Sequence, residues 1–167
     1  MWDKYSAIFN YARENKLPLV GLNLSRQIIG KVARDGFDSL SGEQLKQLPA
    51  VRCVVDQAYK EFIRRALGKH DLQGSGFDNF CEAQLVWDKV MARNLLEYLD
   101  VNQDKTVIVL AGSGHAWKYG IPEQLKKKGE TGGRGILPEV PGKAEKEVLS
   151  FSDADYLLPG VAEGPFH

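Results

Sequence analysis

Apolar residues along the chain recur mostly at helical spacing, and the main exceptions are two short continuous runs. Trp2, Tyr5, Phe9 and Ala12 predict a first helix. Lys16-Leu17-Pro18 stops it, because proline disfavours helical geometry in the residue before it. LPLVGLNL follows as an apolar run and reads as a buried strand over 18–24. Ser25 caps a second helix with Ile28, Ile29, Val32 and Ala33 on one face, ending near Gly36. Ser41-Gly42-Glu43-Gln44 fits a capping box and opens a short helix that ends before Pro49. A helix over 51–68 is expected to bury Val55, Tyr59, Phe62, Ile63 and Ala66. After the loop GKHDLQGSG, the longest helix covers 77–100, with Phe80, Trp87, Val90, Met91, Leu95 and Leu99 along one stripe. KTVIVLAG is rich in β-branched residues and predicts a strand over 105–111. Gly120-Ile121-Pro122-Glu123 opens another short helix, since proline suits a first turn. Beyond these, GETGGRG is a turn, and ILPEVPG and VLSFSDADYLLPG are short extended pieces.

Strand, turn and helix in succession give an α/β reading: a three-layer α/β/α arrangement with a mainly parallel sheet. The strands at 18–24 and 105–111 are expected to run parallel, adjacent or one apart, with helices near 25–36, 51–68 and 77–100 covering them. The chain has 167 residues, enough for a single domain over 1–167. Lysine plus arginine (22) equals aspartate plus glutamate (22), which argues against a generic nucleic-acid binder. Cys53 and Cys81 form no Cys-x-x-Cys pattern, so neither a disulfide scaffold nor a finger-type zinc site is expected, and both read as buried helix residues. No run approaches the roughly 20 apolar residues of a membrane span. MWDKYSAIFN lacks the pattern of a signal peptide, and the compartment stays open. The lysines at 126–128 read as a solvated helix end.

Two junctions concentrate the polar chemistry. Asn23-Leu24-Ser25-Arg26 follows the first expected strand, and Gly112-Ser113-Gly114-His115 follows the second. With both strands parallel, both junctions open at one carboxyl edge, where open α/β folds bind ligands. Gly112 and Gly114 would let the backbone turn sharply and leave space beside His115. Taken singly, each is equally a tight turn, a loop histidine or a surface cation. On the long helix Gln84 and Asp88 are one turn apart beside an apolar stripe. A carboxylate near a buried face needs a partner, and Arg26 or His115 is available.

PLVGLNLSRQIIGKVARDGFDSL, EAQLVWDKVMARNL and VIVLAGSGHAWKYGIPEQL together resemble successive blocks of the ChaN-like haem-binding proteins, within the Tiki/TraB/erythromycin-esterase superfamily. The resemblance covers 2–128, and 129–167 is a less clearly matched C-terminal segment. It implies haem binding in iron or haem uptake. It also implies a departure, because the family's Gly-Glu-x-His motif occurs nowhere in this chain. The domain is therefore expected to be incomplete relative to the family's, which argues against catalysis by this chain alone. It points to a homo-oligomer, or to a separate chain that supplies the rest. Haem needs an iron ligand, and histidine and tyrosine both serve. The histidines are His70, His115 and His167, and Tyr119 lies four residues after His115. Under this resemblance His115 or Tyr119 holds the iron, Lys118 pairs with a propionate, and Asn23, Arg26, Gly112, Gly114 and Asp88 complete the cofactor site. Trp117 packs on the porphyrin face or in the core. Two alternatives stand beside it: a metal-dependent hydrolase with a divalent ion at His115 and Tyr119, and an interaction protein with no small-molecule site.

Overall fold

Helix α1 spans Trp2–Glu14, and the chain leaves it through Lys16, whose φ is +53°. The structure is a computed structural model that describes residues 2–48, 54–67, 74–130, 132–141 and 144–159. Helix α2 (Arg26–Asp35) is capped by Ser25, whose hydroxyl accepts from the Gln27 N–H at 3.3 Å. It closes on Gly36, which takes φ +82° and donates its N–H to the Val32 carbonyl, a geometry that favours glycine. The capping box at the start of α3 (Gly42–Lys46) forms in both halves, at 3.0 and 3.3 Å. Helix α4 runs Gln57–Leu67, and the Asp56 carboxylate accepts from the Tyr59 N–H at its start. Then come α5 (Ser75–Asp100), α6 (Ser113–Ala116) and α7 (Ile121–Lys126).

Helix α5 is the centre of the molecule. Phe77, Cys81 and Leu85 pack with Tyr59, Phe62 and Ile63 of α4, with Trp117, and with Leu137 from the C-terminal segment. Ala83, Val86 and Val90 pack on Ile28, Ile29 and Val32 of α2. Met91 and Ala92 meet Ile121 of α7. The single apolar stripe read from sequence is thus replaced by burial on several sides, the behaviour of an interior helix. Of the expected residues, Val90, Met91 and Leu95 are buried, while Phe80, Trp87 and Leu99 are half-buried.

The protein mixes helix and strand, as expected, but its sheet is not the expected one. Segments 18–24 and 105–111 form no strand, and no main-chain ladder joins either to a described residue. The only sheet among the described residues pairs β1 (Ile136–Pro138) with β2 (Tyr156–Leu158) in parallel, Leu137 opposite Leu157. A three-layer sandwich around a mainly parallel sheet is therefore not what these residues build. Strand propensity describes a residue's fit to a pleated surface, and the surface itself comes from a neighbouring strand. Both segments nevertheless lie against the helices: Leu22, Val109 and Ala111 pack on Met91, Ala92 and Ile121. The short pieces of the C-terminal segment pair with each other instead, and Leu137 is fully buried against α4 and α5.

Burial fixes the chemistry of Cys81, while Cys53 lies outside the described residues. Loss of solvation pushes the Cys81 thiol up to about 11, so its thiolate is scarce at neutral pH. In a Cys53→Ser background, Cys81 should stay unreactive towards Ellman's reagent at mildly alkaline pH until denaturant unfolds the chain. Rapid labelling of the native protein would contradict this packing.

Candidate functional site

Asp88 is the buried charge of α5, with 1% of its surface exposed. Two elements converge on it. From α6, His115 Nδ1 stands 2.7 Å from Asp88 Oδ1. From α4, the Tyr59 hydroxyl donates to Asp88 Oδ2 at 3.0 Å. Burial raises the Asp88 carboxyl above its ordinary 3.8, while the hydrogen bond and charge of His115 and the hydrogen bond of Tyr59 act in the opposite direction. With Asp88 ionised, its two oxygens accept from the imidazole Nδ1–H and from the phenol. That fixes the tautomer that leaves the His115 Nε2 lone pair bare. Nε2 itself makes no hydrogen bond to a described residue.

The backbone around His115 is shaped by close contact more than by unusual dihedrals. His115 N–H donates to the Gly112 carbonyl at 2.9 Å. Neither Gly112 nor Gly114 takes a positive φ, so the turn does not demand glycine at either place, contrary to expectation. A Cβ on Gly112 would stand 3.9 Å from His115 Cδ2, so the missing side chain leaves that edge of the ring open. Gly120 is the demanding position, since a Cβ there would overlap the His115 carbonyl group, with its carbonyl carbon only 2.8 Å away.

Of the residues expected at the site, Asp88 and His115 are in direct contact. Asn23 is linked through Trp87, whose indole N–H donates to the Asn23 side-chain oxygen. The Trp87 ring meets His115 edge to face, centroids 4.8 Å apart. Arg26 opens α2, exposed, and its side chain makes no hydrogen bond or ion pair to a described residue. Gln84, one turn before Asp88, is half-buried. Lys118 is engaged by the C-terminal segment, pairing with Asp155 at 2.8 Å and donating to the Phe151 carbonyl at 2.6 Å. The Lys118 contact, with the Gly135 N–H, holds the Asp155 carboxyl below the usual carboxylate range. Tyr119 does not share a helix face with His115, because Trp117 is extended (ψ 151°) and ends α6 between them. Tyr119 stacks on Phe62 at 5.3 Å and lines a separate open depression of about 410 Å³ with Arg64 and Arg65. Trp117 takes its core option, 5% exposed against Phe62.

Sequence reasoning missed Tyr59 and Trp87 as members of this constellation. Tyr59 was legible only as a core residue, although a buried phenol needs a partner for its hydroxyl. Among the described residues no group of three histidine, cysteine, aspartate or glutamate side chains could hold a metal ion. His70 and His167 lie outside the described residues.

The family described as haem-binding uptake, Tiki superfamily, ChaN, matches residues 1–125. The chain belongs to this family. No curated protein and no solved structure matches it. The match ends within α7, yet the segment beyond it packs on the matched part of the chain. The Asp153 carbonyl accepts from the Lys118 N–H at 2.8 Å, and the buried Asp153 carboxylate pairs with Arg65 at 3.1 Å.

Two outcomes follow. The folded protein holds the Asp88 proton to higher pH than the unfolded chain, so stability from this group is full below the unfolded pKa. It is lost as pH rises through the raised folded one. Urea unfolding of wild type and Asp88→Asn from about pH 4 to about pH 8 should show the wild type losing stability relative to the variant as pH rises; parallel curves would refute the assignment. Gly120→Ala should cost about 1–3 kcal/mol through overpacking on the His115 backbone. A melting temperature unchanged from wild type would count against that contact.

Proposed function

We propose that this protein binds haem, with His115 Nε2 as the iron ligand. One observation carries the reading: a mostly buried histidine whose Nδ1 is held by a carboxylate, leaving Nε2 free. Metal-bound histidines characteristically place their second nitrogen on such a partner, which fixes the ring and raises its basicity. A porphyrin supplies four of its iron's ligands, so one protein ligand is enough. A bare zinc-like ion draws three or more ligands from the protein, and no such set exists among the described residues. The donor set therefore fits haem better than the metal-dependent hydrolase reading, and family membership supports the same choice.

In this reading each residue has a defined task. His115 presents the ligand atom, and Asp88 keeps the proton on Nδ1. Trp87 borders the ring, and Asn23 holds Trp87 in place. Gly112 leaves the Cδ2 edge of the imidazole uncovered. Arg26 is the cation available to a propionate, whereas Lys118 would first have to release Asp155. The bound iron would supply redox and small-ligand chemistry. Tyr119 is the competing ligand, and its separate depression makes the two assignments distinguishable.

The test is hemin titration followed by absorbance. Wild type and Tyr119→Phe should give the same Soret band, and His115→Ala should lose it or bind much more weakly. Asp88→Asn should weaken binding by about 10–100-fold, as loss of such a supporting partner generally does. No binding by wild type, or equal binding by His115→Ala, would end this assignment; loss confined to Tyr119→Phe would move the iron to the other depression.

A further inference from the structure

We infer that Tyr59 is a positioning residue of this site: acting through Asp88, it keeps the His115 proton on Nδ1 and so keeps the Nε2 lone pair bare. Its bearing on haem rests on the His115 reading above; the place of the proton is a property of the chain alone. Asp88 is buried, and among the described residues it has one donor on each oxygen. His115 Nδ1–H donates to Oδ1 at 2.7 Å, and the Tyr59 hydroxyl donates to Oδ2 at 3.0 Å. The cations of α4 are used elsewhere: Lys60 on Asp78, Arg65 on Asp153, and Arg64 over the Phe77 ring. Tyr59 is thus the group through which α4 reaches Asp88. A carboxylate cut off from water is held by the donors that the protein supplies. With both oxygens occupied Asp88 keeps one orientation, and Oδ1 meets the imidazole as an acceptor. The tautomer of a neutral imidazole is set by the hydrogen bond its other nitrogen makes, and here that places the proton on Nδ1. Without the phenol, Oδ2 would have no donor, and the carboxylate could turn either oxygen towards the one N–H left. The ring would lose its fixed acceptor, and a free imidazole in water favours the proton on Nε2. That proton would occupy the nitrogen an iron needs.

Helix α4 holds the site by two routes that start one turn apart. Tyr59 reaches the imidazole through Asp88. Phe62 packs on Trp117, which ends α6 two positions after His115, with ring centroids 5.8 Å apart. The apolar route locates the α6 backbone and has no bearing on where a proton sits. The polar route depends on one hydroxyl. A phenylalanine at 59 would keep the ring, its edge contact with Phe62 at 5.7 Å, and the N–H that the Asp56 carboxylate caps at 2.8 Å. Substitution can therefore separate the two routes, removing the donor without the packing or the packing without the donor.

The test is nitrogen NMR of the imidazole rings in the full chain without haem, in mildly alkaline solution, with His115 assigned by the signal lost in His115→Ala. Wild type should show a protonated Nδ1 and a bare Nε2, and Tyr59→Phe should move the balance towards a protonated Nε2. Phe62→Leu, which loosens the packing, should lower the melting temperature and keep the wild-type tautomer. With hemin added, Tyr59→Phe should bind about tenfold more weakly than wild type, the lower end for loss of a supporting partner. A wild type with its proton on Nε2, or an unchanged tautomer in Tyr59→Phe, would overturn the inference. So would the same change in Phe62→Leu, since a purely structural role gives that result. If wild type binds no hemin while the tautomer moves as expected, the haem reading falls and the role of Tyr59 stands. Equal hemin affinity in a Tyr59→Phe protein whose tautomer has moved would likewise remove Nε2 as the iron ligand and leave the positioning role intact.

Discussion

A carboxylate taken almost wholly out of water is the constraint around which this protein is arranged. Asp88 sits inside α5, where solvent cannot stabilise its charge, so its two oxygens must find donors in the protein. Those donors come from elements far apart in sequence, Tyr59 on α4 and His115 on α6. Satisfying Asp88 therefore fixes α4 and the loop after segment 105–111 against the same turn of α5. The geometry that lowers the cost of burial also orients an imidazole with one nitrogen bound and one free. Structural necessity and candidate chemistry are the same contact.

Around that contact the aromatic residues divide the work. Phe62 meets Tyr59, Trp117 and Tyr119 in one cluster, so α4 is locked to the chain on the far side of His115. Trp87 approaches His115 from the other side and carries the link to Asn23. The C-terminal segment reinforces the arrangement from outside. Asp153 and Asp155 neutralise Arg65 and Lys118, the cations that flank the Tyr119 side of the fold. Both tail carboxylates also accept backbone N–H groups within their own segment, so they order the tail as they tie it down. Residues past the family match thus close the core through Leu137, Ala144 and Ala154.

The helical layer and the two apolar segments follow different rules. Helices satisfy their own backbones, so α2 and α5 need only apolar faces that meet. The segments at 18–24 and 105–111 reach that layer through Leu22, Val109 and Ala111, form no ladder with a described residue, and leave Leu19, Val20, Ile108 and Leu110 exposed.

The sequence by itself determined what is local. The Ser25 cap, the Ser41–Gln44 box, the Gly36 stop, the start of α7 and the extent of α5 all follow from contacts within a few residues, and each was legible. So was the family, since its blocks are stretches of sequence, and so was the candidacy of Asp88 and His115. What only the tertiary structure decided is which groups meet. The apolar character of 18–24 and 105–111 is written in their residues, but whether they become strands depends on a partner backbone that local pattern cannot specify. Tyr59 and Phe62 both read as core, and only the fold set one hydroxyl on Asp88. Tyr119 was placed beside His115 by counting four residues, and the extended Trp117 between them turned it to another depression. The physical reason is common to all of these. Caps and helix periods are set by neighbours along the chain, whereas burial, pairing and hydrogen-bond partners are set by residues that meet only when the chain has folded.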